Sequence, residues 1–483
     1  MSEHKETFYV TSPIFYPNGE LHIGHAYTMT VCDLLTRYHK QVGNQTYFLT
    51  GADENSTKIV KAAAEQGVEV HEYLRNISNN FKQLYADMHV EYNQFIQTTD
   101  KERHWPGALL MWKKLQESGD IYKNAYEGLY CVNCEAFYTE KDLIDGKCPY
   151  HGTEPTKIKE ENYFFKLSKY TAPIKAKIES GELQILPIAR KNEILALLER
   201  GLEDVSFSRP IKNVPHGIPV PGDDEQAIYV WCDALVNYIS ALGYGRTDDS
   251  LFKTFWPANA HVIGKDILRF HAAIWPGMLL SAGLPLPKTI LVHGLIMSGG
   301  KKMSKSIGNV ILPYDIINEY GHEAMKYFFA RHISIFDDGE MTMEIFKDAY
   351  NSQLANGIGN LTNRILKMAI SNEVQFDSSS WNHTSTVQYK EWQVAFESFD
   401  INKAADVVWK KIGEMDAQIQ SSEPFKLVKT DPEAAKAIIA ELVQDLSLVA
   451  ELATPILPDT SAKIKECINE RKMPEQPLFL RKD

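Results

Sequence analysis

Apolar residues change their spacing several times along the chain, and each change predicts a new element. Residues 7–11 are β-branched and aromatic throughout and predict a strand. The turn Pro17-Asn18-Gly19 follows. From about residue 25 to 41, positions such as Leu34, Leu35 and Tyr38 recur at helical spacing. Residues 45–49 predict a second strand, closed by Gly51-Ala52-Asp53, and 57–65 a second helix. Strand, loop and helix repeated in this order open an α/β domain.

From about residue 119 to 226 that rhythm breaks into charged and turn-rich sequence, which predicts an insertion. Strands are expected again at 227–230, 261–263 and 289–292. Short strands separated by helices suit a Rossmann-type parallel sheet, whose chemistry sits beyond the carboxyl ends of its strands. Residues 347–370, 389–413 and 432–454 predict helices, with polar linkers at 371–388 and 414–431 and the pair Pro455 and Pro458 ending the last. The expected division is two halves of an α/β domain at 1–118 and 227–292, the insertion at 119–226, a linking region at 293–346 and a helical bundle at 347–483.

Composition narrows the function classes. The 483 residues are 44% apolar and 24% charged, ordinary for a folded chain of several domains. A net charge of −12 argues against a non-specific nucleic-acid coater but leaves room for local basic patches. No run of 18 apolar residues occurs, and the start from Met1 to Glu6 is polar, so a cytoplasmic protein without membrane contact is expected.

Cys131-Val-Asn-Cys134 and Cys148-Pro-Tyr-His151 form two pairs with two-residue spacers, thirteen residues apart. Three thiolates and an imidazole suit one tetrahedral Zn2+, and four protein ligands leave no open position, so the metal is expected to be structural. Redox chemistry at Cys131 and Cys134 is the rival, although it needs no matching second pair.

Two segments carry phosphate chemistry. His22-Ile23-Gly24-His25 lies between the first strand and first helix, with two imidazoles one helical turn apart at a helix N-terminus. Such donors hold anions and stabilise charge that grows on phosphate oxygens. Gly299-Gly300-Lys301-Lys302-Met303-Ser304-Lys305-Ser306 is a glycine-hinged positive loop after a likely strand end, suited to close over a pyrophosphate leaving group. Read alone, the histidine pair also fits packing and the lysine loop fits solvated surface.

These two segments resemble the HIGH and KMSKS signatures of class I aminoacyl-tRNA synthetases. With TSPIFYPNGELHIGHAYT, TGADENSTKI, YVWCDALVNY and HVIGKDILRFH, nearly the whole chain resembles the methionyl-tRNA synthetase family, in forms with a single three-Cys, one-His zinc site. The resemblance implies a ligase that uses ATP with Mg2+ to activate L-methionine and charges tRNA(Met), initiator and elongator. It places His22, His25, Lys302 and Lys305 on the ATP phosphates, and Gly264 and Asp266 near the adenosine and its ribose. It assigns the methionine pocket to Ile14, Tyr16, Asp53, Trp231, Ala234, Leu235, Tyr238, Ile267 and His271, with Asp53 on the substrate ammonium. Pro13 stands where some members have alanine, at the pocket floor.

In the helical region the resemblance matches the anticodon-reading pair to Asn360 and Arg364. The family's Pro-Trp appears as Pro424-Phe425, so Phe425 either stacks on a base more weakly than Trp or is core. Residues 347–483 carry 16 positive and 20 negative side chains, so any RNA-binding face must concentrate its cations. The family's appended C-terminal dimerisation module has no counterpart, which implies a monomer. The rivals are a nucleotidyltransferase acting on a small metabolite, another class I synthetase and a non-catalytic RNA-binding protein.

Overall fold

In the computed structural model, which describes residues 5–131, 136–138, 140–149, 152–303 and 308–483, β1 runs from Thr7 to Phe15. Phe8 to Pro13 are buried in sequence, the mark of a strand covered on both faces rather than one. β2 (Gln45–Ala52), β3 (Gln94–Gln97), β4 (Gln184–Leu186), β5 (Ala260–Gly264) and β6 (Thr289–His293) complete the sheet. Their order is β3-β2-β1-β5-β6-β4 and every pairing is parallel. Strand order reverses at β1, which lies between β2 and β5, so the crevice for a ligand opens at the carboxyl ends of these strands. Register in β1 slips between Thr11 and Ile14. Pro13 lies in that slip, where a central strand tolerates a residue with no N–H to give its neighbour.

The chain forms two compact units. The first, residues 1–21, 43–86 and 90–293, contains the parallel sheet and one large apolar core that includes Tyr9, Trp112, Phe165, Tyr238 and Trp275. The second comprises residues 22–42, 87–89 and 294–483. It holds the helix Ile23–Gln41, a small sheet of Ile296–Ser298 with Lys301–Lys302 and Gly339–Glu340, and a helical array ending in Pro458–Glu470. In this unit Tyr38 stacks on Phe396, ring centroids 4.5 Å apart. No helix among the described residues is long and apolar enough to cross a membrane.

Three expectations are corrected. The strand expected at 227–230 is the end of Asp223–Ile228, which pairs antiparallel with Ser208–Pro210 in a separate three-stranded sheet, and Val230 already begins a helix. The sheet edge is supplied instead by β4, from within the stretch read as an insertion. The helix expected at 389–413 is two helices, Val387–Glu397 and Ile401–Ser422, separated where Phe399 takes a left-handed φ of 62° and Asp400 caps the second. The helix Pro432–Ala453 does end just before Pro455, but Pro458 begins a further helix, Pro458–Glu470, since proline fits the first helical turn.

Candidate active site

His22 is the N-cap of the helix Ile23–Gln41, and His25 its third helical residue. The Gly24 N–H donates to His22 Nδ1 (3.0 Å) and the His22 N–H donates to His25 Nδ1 (3.1 Å). The two imidazoles meet through this reciprocal cap, not through one helical face, with centroids 3.9 Å apart. Because each Nδ1 accepts a hydrogen bond, the neutral ring carries its proton on Nε2. Burial, and then the neighbouring His22, hold His25 well below the usual imidazole pKa. Both neutral rings therefore carry their proton on Nε2 beside a helix N-terminus, where an anion is favoured.

In the same unit Gly299 and Gly300 turn the chain back with φ of 64° and 69°. The Gly300 N–H donates to the Glu340 carboxylate at 3.1 Å, and the Gly299 N–H donates to it as well. Lys302 follows in the strand Lys301–Lys302, paired with Met297. The Lys302 side chain and all of Lys305 lie outside the described residues.

In the first unit, the carboxyl ends of β1, β2 and β5 bring Ile14, Tyr16, Asp53, Gly264 and Asp266 to one edge of the sheet. Asp53 is buried and its N–H donates to the Phe15 carbonyl at 3.0 Å. The Lys58 ammonium lies 4.2 Å from the Tyr16 ring centre. The Asp266 carboxylate folds back over Gly264, where a Cβ would stand only 2.7 Å from Asp266 Oδ1.

Trp231, Ala234, Leu235, Tyr238 and His271 are all buried, Pro13 is buried in β1, and Ile267 is half-buried. Trp231 stacks on Phe270, centroids 3.7 Å apart. His271 Nδ1 donates to the Ile267 carbonyl (2.9 Å), which leaves Nε2 to accept from the Tyr238 hydroxyl (2.7 Å). Burial pushes the His271 pKa down to about 4, so the ring is neutral at neutral pH. The Tyr238 and His271 polar groups satisfy each other, whereas the buried Trp231 Nε1 has no hydrogen-bond partner among the described residues.

Several positioning residues escaped sequence reasoning. Trp275 donates from Nε1 to His261 Nε2 (3.3 Å), His261 Nδ1 bonds Thr11 (2.7 Å), and the Tyr9 hydroxyl donates to the Tyr238 carbonyl (2.7 Å). Beside Asp53, the buried Glu54 carboxylate accepts from Ser78, Gln97 and Thr99. Asn55 donates to Asp233 (2.7 Å), which also meets His104 at 2.5 Å. The only advance signal was the density of polar residues in Asp53-Glu54-Asn55-Ser56, unusual directly after a buried strand.

Cys131 and Cys148 are buried in one small cluster with Tyr138, and neither forms a disulfide. Cys134 and His151 lie outside the described residues. Asn360 is exposed at the start of the helix Asn360–Ser371, and Arg364, one turn later, pairs with Asp416 at 2.5 Å. Phe425 is 47% exposed, which removes the core alternative for that ring.

Residues 8–157 and 140–366 match the family described as tRNA synthetases class I (M), and residues 377–477 match the anticodon binding domain of methionyl tRNA ligase. The chain is 41% identical to methionine–tRNA ligase of Clostridium acetobutylicum, over 97% of this chain and 74% of that protein. It is 37% identical to methionine–tRNA ligase of Thermotoga maritima, over 97% and 76%. Mycobacterium tuberculosis methionyl-tRNA synthetase in complex with methionyl-adenylate superposes with a TM-score of 0.90 at 32% identity, covering 98% of this chain and 95% of that one. With a parallel sheet open at its reversal point, a capped histidine pair and matches that run through the helical region, the chain belongs to the methionine family of class I tRNA synthetases.

Proposed function

We infer that the chain is a methionine–tRNA ligase, and the observation that carries this is 37–41% identity to methionine–tRNA ligases across 96–97% of its length. The methionine carboxylate attacks the α-phosphorus of ATP, giving methionyl-adenylate and pyrophosphate. A hydroxyl of the 3′-terminal adenosine of tRNA(Met), the 2′-hydroxyl in this class, then attacks the adenylate carbonyl and releases AMP.

In the roles proposed here, His22 and His25 donate from Nε2–H to oxygens of the reacting phosphates. Their neutral form is supported by the Nδ1 hydrogen bonds and by the depressed His25 pKa. A fixed donor aimed at growing charge needs no reorganisation during the step. Lys302 and Lys305 follow the triphosphate and the departing pyrophosphate. Mg2+, entering with ATP, would neutralise triphosphate charge. Gly264 and Asp266 lie near the adenosine and its ribose. Asp53 takes the substrate ammonium, and Tyr16, Trp231 and His271 wall the thioether, with Pro13, Ile14, Ala234, Leu235, Tyr238 and Ile267 closing the slot.

Cys131, Cys134, Cys148 and His151 are proposed to hold one structural Zn2+. Two buried thiols sharing one cluster without a disulfide suit a soft, closed site. Asn360 and Arg364 are proposed to read anticodon bases, with Phe425 stacking on one.

Amino-acid-dependent ATP–pyrophosphate exchange, run with all twenty amino acids, tests the assignment. Methionine should lead leucine, isoleucine, valine and cysteine by a wide margin. Equal turnover with any of them would overturn it.

A further inference from the structure

The glycine turn ahead of the signature lysines is fastened by a carboxylate from outside its own hairpin. Ile296–Ser298 and Lys301–Lys302 pair antiparallel with Ser298 opposite Lys301, so Gly299 and Gly300 are the whole connection between them. Both have positive φ, 64° and 69°, as a tight two-residue hairpin requires. Glycine reaches that conformation without steric cost, but it is equally free to leave it, so the turn does not hold itself. Here both N–H groups donate to Glu340, Gly299 to Oε1 and Gly300 to Oε2, the latter at 3.1 Å. Hydrogen bonds to an ionised carboxylate are about twice as strong as neutral ones.

Glu340 is itself fixed. The strand Gly339–Glu340 runs parallel to Ile296–Ser298, with Glu340 opposite Met297. On either side of it, the Gly339 N–H donates to the Leu295 carbonyl and the Met341 N–H to the Met297 carbonyl, both at 2.9 Å, and Met341 is wholly buried. Beyond the lysines, Asn309 Nδ2 donates to the Ser298 carbonyl at 3.2 Å. The hairpin that begins the lysine loop and the residue that follows the loop are therefore tied to one small framework. Charge alone gives Glu340 no reason to stand there. A carboxylate beside a loop that handles pyrophosphate repels that anion, so its contribution has to be geometric.

Resting on the reading that Lys302 and Lys305 follow the triphosphate, we propose that Glu340 is a positioning residue for this loop. Its two oxygens set the glycine turn, and through the turn they set where the lysines stand as pyrophosphate departs.

The test compares the full chain with its Glu340→Ala and Glu340→Gln variants in methionine-dependent ATP–pyrophosphate exchange. Amide deuteration across residues 296–303 is followed by mass spectrometry on the same samples. Glu340→Ala should lower the kcat of pyrophosphate exchange by on the order of 10- to 100-fold, since misplacing a group by about 1 Å can cost about the larger factor. The KM for methionine should not change, and the melting temperature should stay near the parent value. Glu340→Gln keeps the shape but offers one oxygen to two donors, so its kcat should fall between the other two. Deuteration of the glycine amides should quicken in both variants. A kcat raised by Glu340→Gln would show that the field of the carboxylate outweighs its hydrogen bonds, and would overturn the proposal. Unchanged deuteration beside a lost kcat would place Glu340 on the substrate and overturn it too, as would faster deuteration with kcat intact. A parent without methionine-dependent exchange would instead overturn the reading of the site, while deuteration would still show whether Glu340 holds the turn.

Discussion

A side chain at Gly24 would displace the His22 ring. A Cβ there would stand 2.9 Å from His22 Cε1 and 3.1 Å from Nδ1, so the imidazole would have to leave the cap. Elsewhere in a helix, glycine to alanine is worth about 1 kcal/mol of stability. Gly24→Ala should therefore leave thermal stability near the parent value while pyrophosphate exchange falls by at least about 10-fold, the loss expected for a displaced charge-stabilising donor. Exchange kinetics beside a thermal melt check this. His271 gives a second prediction. Its folded pKa is about 4, below the unfolded imidazole value of about 6.5. Between those values the unfolded chain binds the extra proton, so stability present above pH 6.5 is lost as pH falls toward 4, by on the order of 3 kcal/mol. Urea titrations at several pH values should show a flatter dependence over that window for His271→Gln than for the parent.

Elements in the second unit are joined by buried charge. Lys326, on the helix His322–His332, is wholly buried and donates to Asp33 on the helix Ile23–Gln41 at 2.5 Å. Arg37 also reaches Asp33, at 2.9 Å, one turn along the same helix. Removing one partner of a buried pair leaves the other charged and unsolvated. Lys326→Met should cost about 3 kcal/mol in denaturant unfolding, toward the low end for such pairs because Arg37 remains. Lys326→Met combined with Asp33→Leu should recover much of that loss, a non-additivity that a double-mutant cycle would measure.

At the scale of the whole molecule, activation and transfer should separate. Asn360→Ala should keep pyrophosphate exchange and slow tRNA charging, since losing a base contact costs about 1–3 kcal/mol by analogy with duplex readout. Phe425 is the sharper case because its ring is 47% exposed. Phe425→Ala should cost about 1–3 kcal/mol in tRNA charging with an unchanged melting temperature, and Phe425→Trp should be tolerated. Loss of melting temperature without loss of charging in Phe425→Ala would remove the ring from the RNA contact.

The sequence by itself determined the local elements whose residues dictate their own conformation. The β-branched run at 7–11 made a strand, and the helical period through Leu34, Leu35 and Tyr38 made the helix Ile23–Gln41. Short-range signatures such as His22-Ile23-Gly24-His25 were legible because their parts are neighbours in the chain. Tertiary structure decided what depends on partners far away. The pairing of β4 with β6 joins residues about a hundred apart, and a three-residue strand carries too little pattern to announce its neighbour. The tautomers of His261 and His271 are set by Trp275 and Tyr238 and by a backbone carbonyl, none of which is visible in composition or period. The meeting of Glu340 with Gly299 and Gly300 was equally hidden, because a single acidic residue about forty positions away forms no motif until the backbone brings it to the turn.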